Sequence, residues 1–137
     1  MIKLKLFLNK VLMINQIMPL ILWATPVLAC ANEVICDIEY AGSVTSIKPE
    51  ANNDPYQFTN IDLQGGFRFS AQLLPELNKL KTYVYHQSKN RYVLIQAAEY
   101  GIEQKACLES EHRFGLNKVY SAQLERELLF QCRLSCR

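Results

Sequence analysis

The stretch from Phe67 to Tyr100 constrains the fold most, because its apolar residues recur at every second position. Phe67, Phe69, Ala71 and Leu73 alternate with Arg68, Ser70 and Gln72, the pattern of a strand with one buried and one wet face. A helix would set Phe67 and Phe69 about 200° apart around its axis. Further on, Thr82, Tyr83, Val84, Tyr85, Tyr92, Val93 and Ile95 are β-branched or aromatic and suit a pleated surface. The polar run Gln87–Arg91 between them predicts a turn, with Asn90 as the residue to take a positive φ. A two-residue loop at Lys89 and Asn90 sets Val84 opposite Ile95 and His86 opposite Val93. One face then carries Leu80, Thr82, Val84, His86, Val93, Ile95 and Ala97. The other carries Tyr83, Tyr85, Tyr92 and Leu94.

The remaining chain reads as further strands and turns. Val34, Cys36, Ile38 and Tyr40 share one face of a first strand, and Ser43–Ile47 predicts its hairpin partner. Lys48–Pro55 is a loop rich in Pro, Asn and acids. Gln57–Leu63 predicts a strand leading into Gly65–Gly66. A three-residue loop, Gln64–Gly66, joins the apolar faces by opposing Leu63 to Phe67 and Ile61 to Phe69, with a glycine in the left-handed region. Pro75–Lys79 is a linker with room for one helical turn, and Gly101–Gly115 is a long polar stretch. A strand runs from about Glu127 to Leu134, with good helix formers just before it in Ser121–Glu127. About five to seven short strands at regular spacing predict an all-β fold, a small antiparallel β-sandwich of immunoglobulin-like or related kind. A small β-barrel is the alternative. The immunoglobulin hallmark of a buried Trp is missing, because the one Trp is Trp23.

Met1–Ala31 has the order of a cleaved secretory signal: Lys3, Lys5 and Lys10, an apolar stretch from Val11 to Trp23, then small residues. The apolar stretch is shorter than the roughly 20 residues that span a bilayer. Ala29–Cys30–Ala31 predicts cleavage before Asn32. Val27–Leu28–Ala29–Cys30 also resembles a bacterial lipoprotein box, so a lipid anchor at Cys30 is the alternative. Residues 32–137 then form a single domain of 106 residues. All thirteen Asp and Glu, but only twelve of the fifteen Lys and Arg, lie after residue 31, so this domain carries a net charge of −1. That balance gives no electrostatic case for nucleic acid or an anionic membrane.

Cysteine parity agrees with export to a bacterial periplasm or the extracellular space. Cleavage before Asn32 leaves four of the five Cys, enough for two disulfides in an oxidising compartment. Cys36 and Cys132 both point inward from strands near the chain ends, which favours pairing them, and Cys107 with Cys136. Exchanging Cys132 and Cys136 is the alternative connectivity. No C-x-x-C spacing points to zinc.

Motifs for catalysis or a cofactor are sparse. His86 reads as a polar residue at a strand end. Glu109, Ser110, Glu111, His112 and Arg113 cluster carboxylates, a hydroxyl and an imidazole, but a triad is defined in space, not along the chain. Glu109, Glu111 and His112 are metal-ligand types without a recognised spacing. Gly65–Gly66 leads into a strand, which is not a phosphate loop. The tyrosines Tyr83, Tyr85 and Tyr92 form a candidate binding surface, since Tyr combines apolar area with a hydroxyl at low entropy cost. Ordinary sheet packing is their competing role. The expected function is therefore a non-enzymatic exported β-domain that binds another protein or a cell-envelope component, of inhibitor, immunity or accessory type. A small hydrolase centred on His112 and a purely structural envelope protein are the alternatives.

Overall fold

The alternating apolar pattern folds into nine strands, seen in a computed structural model that describes residues 33–103, 111–121 and 126–135. The expected signal Met1–Ala31 with Cys30, the expected Cys107–Cys136 bond, and most of the helix-forming run Ser121–Glu127 lie outside the described residues. One sheet contains β1 (Glu33–Tyr40), β2 (Ser43–Ile47), β7 (Glu111–Arg113), β8 (Asn117–Ser121) and β9 (Arg126–Ser135). The other runs β3 (Thr59–Asp62), β4 (Phe67–Leu74), β5 (Lys79–Ser88), β6 (Arg91–Gly101) in that order. Every strand pairing is antiparallel. The spine of the first sheet is β9, with β1 along one edge and β8 and β7 in succession along the other.

The two sheets pack face to face through the residues the alternation predicts. Val34, Cys36, Ile38, Leu128, Phe130 and Leu134 of the first sheet meet Phe67, Phe69, Ala71, Leu73, Leu80 and Val84 of the second, and all are buried. Phe69 and Phe130 meet edge to face across the interface, with ring centres 4.9 Å apart. Burying each such side chain contributes roughly 1.5–3 kcal/mol. The fold is thus an antiparallel β-sandwich. Cys36 stands directly opposite Cys132 in the β1–β9 ladder, and the two are joined as a disulfide. This bond links neighbouring strands of one sheet, whereas the immunoglobulin bond crosses between two sheets.

The turn into β4 has the expected register, with Ile61 opposite Phe69 and the Leu63 N–H donating to the Phe67 carbonyl at 2.8 Å. Gly65 and Gly66 both take positive φ, 77° and 82°. A Cβ on Gly65 would also run into the Tyr40 hydroxyl and the Arg126 guanidinium, which hydrogen-bond each other at 3.1 Å. Gly65→Ala is therefore expected to cost roughly 1–2 kcal/mol for the left-handed backbone alone. The measurement is a lowered urea midpoint with unchanged slope.

Several local expectations are corrected. The positive φ of the β5–β6 turn belongs to Lys89 (56°), not Asn90, as in a two-residue loop whose first central residue is left-handed. His86 does oppose Val93, but Val84 opposes Gln96 instead of Ile95. A β-bulge inserts Ile95 as an extra residue, and one extra residue reverses which face every later side chain meets. Ala97 consequently joins Tyr83 on the outer face, while Gln96 and Tyr100 turn toward the other sheet. There the Asn117 side chain accepts from Gln96 at 3.3 Å and donates to the Tyr100 hydroxyl at 2.6 Å. The strand expected over Gln57–Leu63 is shorter, β3 alone. Pro75–Asn78 makes a turn, not a helix, with Asn78 at a φ of 50°. The Gly101–Gly115 stretch contributes β7, whose Glu111–Arg113 are aligned by β9. The strand β8 has a single buried apolar residue, Val119, and no pattern announces it.

Candidate functional site

The outer face of the second sheet gathers several aromatic side chains that the core does not use. Its register aligns them in cross-strand rows. Asp62, Arg68, Tyr85 and Leu94 form one row, and Asn60, Ser70, Tyr83 and Ala97 the next. Directly opposed side chains on one face lie close enough to interact. The three expected binding residues, Tyr83, Tyr85 and Tyr92, lie together here. Tyr83 and Tyr85 stack with centres 6.5 Å apart, and the Arg68 guanidinium sits over the Tyr92 ring at 4.0 Å. Leu94 remains 47% exposed beside them.

The loop before β3 completes this face. The Asn52 side chain accepts from the Asp54 N–H at 2.8 Å, and the Asp54 carboxylate from the Tyr56 N–H at 2.9 Å. Such side-chain turns are the reason Asn and Asp suit irregular segments. The loop docks on β4, where the buried Gln72 amide donates to the carbonyls of Asp54 and Gln57 at 3.2 and 3.3 Å. This fixes Phe58, whose ring meets Tyr83 edge-on at 5.6 Å and stays 39% exposed. Between these groups lies an open depression of about 170 Å³, lined by Phe58, Asn60, Arg68, Ser70, Tyr85 and Tyr92. Ser70, only 2% exposed, donates its hydroxyl to the Asn60 side-chain oxygen at 2.5 Å.

Electrostatically the depression is balanced. Arg68 donates two parallel hydrogen bonds to Asp62, at 2.5 and 2.9 Å. That pairing holds the Asp62 carboxyl below the usual aspartate value and the Arg68 guanidinium above its own. Tyr92 makes a smaller contribution in the same direction for both. Glu99, two rows along from Asp62, is likewise held low by Lys79 at 2.5 Å.

Other candidates lie elsewhere. Tyr100, clustered with the binding tyrosines in sequence, is turned away by the bulge and packs on Phe114. His86 packs edge-on against Phe67 at 5.0 Å, and its buried Nε2 makes no hydrogen bond. His112 is exposed on β7 with its ring against Phe114 at 5.2 Å. Its neighbour Glu111 is held by Arg113 at 2.6 Å, while Glu109 and Ser110 lie outside the described residues. Among the described residues no three His, Cys, Asp or Glu are placed to share a metal ion. A larger apolar hollow of about 310 Å³, lined by Val34, Leu73, Ile102 and Leu134 among others, opens where β1 begins and β9 ends. It has few polar groups to orient a ligand.

Sequence reasoning missed Phe58, Asn60, Asp62, Arg68 and Ser70 as parts of the aromatic face. For Arg68 and Ser70 the signal was present, since both occupy the wet side of β4's alternation. No family model matches the chain, and neither curated proteins nor solved structures yield a match.

Proposed function

We propose that the chain is a small exported, non-enzymatic β-domain that binds another protein or a cell-envelope component, as an inhibitor, immunity factor or assembly accessory does. The observation that carries this reading is the outer face of the second sheet. A sandwich needs only the inner face of each sheet for its core, yet this outer face holds Phe58, Tyr83, Tyr85, Tyr92 and Leu94 around a polar depression. Half-buried aromatic and Arg side chains of this kind are enriched where binding energy concentrates. Export is supported by the disulfide, which persists in oxidising compartments. Among the described residues no helix is long and apolar enough to cross a membrane.

The test is quantitative binding of the purified protein to isolated cell-envelope fractions. Tyr83→Ala with Tyr85→Ala is expected to weaken binding about tenfold or more, roughly 1.4 kcal/mol, while the thermal midpoint moves little. Glu39→Ala, exposed on the other sheet, serves as the control. Equal binding by the tyrosine variant, or an equal loss in the control, rejects the reading. Unfolding of the tyrosine variant would return those rings to a packing role.

A further inference from the structure

Resting on the binding reading above, we propose that the depression between Phe58, Tyr85 and Tyr92 holds one ring of a neutral glycan. Its walls and floor have the two kinds of surface that a sugar ring presents. The ring of a sugar offers C–H groups on its faces and hydroxyls around its edge. Three aromatic rings, Phe58, Tyr85 and Tyr92, line the depression, and the negative π-face of such a ring attracts polarised C–H groups. The floor supplies edge partners: the Ser70 hydroxyl, the Asn60 side-chain amide, and those Arg68 N–H groups not directed at Asp62. Ser70 is nearly fully buried, and its hydroxyl is already oriented by Asn60.

Charge and shape narrow the ligand class further. The one cation in the depression, Arg68, is neutralised by a bidentate bond to Asp62 and sits over the Tyr92 ring at 4.0 Å. A phosphate or carboxylate would have to compete with Asp62 for it, so the site favours a ligand without charge. At about 170 Å³ the depression is smaller than the roughly 300–1,000 Å³ of enclosed small-molecule clefts, and it is open to one side. That suits a single ring of a chain that continues past the site. The continuation is provided along β5, where Tyr83 repeats the Tyr85 ring two residues away at a 29° tilt.

The experiment follows the backbone amide resonances of the purified, disulfide-bonded protein during titration with three soluble probes. These are the tetramer of N-acetylglucosamine, cellotetraose and maltotetraose. At least one is expected to shift the amides of Ser70, Tyr85 and Tyr92, with a Kd of about 0.1–10 mM. Tyr85→Ala, which is expected to keep the wild-type spectrum elsewhere, should weaken that probe about tenfold. No shift at these amides from any probe at about 10 mM overturns the glycan proposal. So does a sugar that shifts only amides elsewhere. Inorganic phosphate that moves the same amides at lower concentration overturns the neutrality argument and with it the proposal. If the probes fail while envelope binding still depends on Tyr83 and Tyr85, the glycan is wrong and the binding face stands. If both fail, the binding face fails too.

Discussion

Cys36→Ala combined with Cys132→Ala is expected to lower the unfolding free energy by about 3–5 kcal/mol. The two residues are 96 apart in sequence, so their bond closes most of the domain into one loop. In the chain-entropy account a loop of about 100 residues is worth about 4.7 kcal/mol, because the cross-link restricts the unfolded chain. Both sulfurs also sit in the core, at 0% and 1% exposure, so Ala in their place removes packing as well. Domains of this size have only about 5–15 kcal/mol in hand. At about 4–8 °C per kcal/mol, the double variant should melt at least 12 °C or so below the wild type. Guanidinium unfolding should show a lower midpoint and a steeper slope, because the unlinked chain exposes more surface. A loss under about 1 kcal/mol would mean that the eight-residue β1–β9 ladder holds the sheet without the bond.

Phe69→Ala is expected to cost about 3–5 kcal/mol. Phe69 is fully buried on β4, an interior strand of its sheet, and its ring fills the space against Phe130 of β9. Removing it loses the transfer energy of the ring and leaves a void between the two sheets that close-packed neighbours fill only in part. Phe58, equally aromatic but on the outer face, provides the contrast: Phe58→Ala should stay within about 1 kcal/mol of wild type. Chemical unfolding of both variants checks the pair. A double-mutant cycle of Phe69→Ala with Phe130→Ala should recover a coupling of about 0.5–1.5 kcal/mol for the edge-to-face contact. Similar losses at Phe58 and Phe69 would contradict the assignment of inner and outer faces.

What was legible in the sequence is what period-two alternation encodes. The inner face of β4, the β1 and β9 core residues and the Cys36–Cys132 pair could be read because each sits where one face is apolar and the other polar. The Gln64–Gly66 loop could be read because only one register brings Ile61 beside Phe69. The β6 strand resisted because a bulge leaves no local mark. Both its faces are apolar around Val93, Leu94 and Ile95, so either parity fits until Gln96 finds Asn117. The strands β7 and β8 were hidden for another reason. They are short, polar, and held by the ladder to β9 more than by their own composition. As for the aromatic face, the tyrosines were visible as a cluster, but the loop that brings Phe58 over β5 depends on hydrogen bonds to Gln72 from residues 15 and 18 positions away.

The first and last strands of the domain are neighbours, and this sets a timetable for a chain that emerges from its N-terminus. The second sheet is built from consecutive hairpins between Thr59 and Gly101, so it can assemble early from local pairings. The first sheet can begin with the β1–β2 hairpin, but its completion waits for β9, which follows β1 and the other described strands. At about 5–20 residues per second, the interval between the two lasts on the order of seconds. Throughout it, the inner face of the second sheet, with Phe67, Phe69 and Leu80, lacks the β9 residues that pack over it in the finished fold. Cys132 comes alongside Cys36 only when β9 pairs with β1, so the disulfide can close only after the strands between them have emerged.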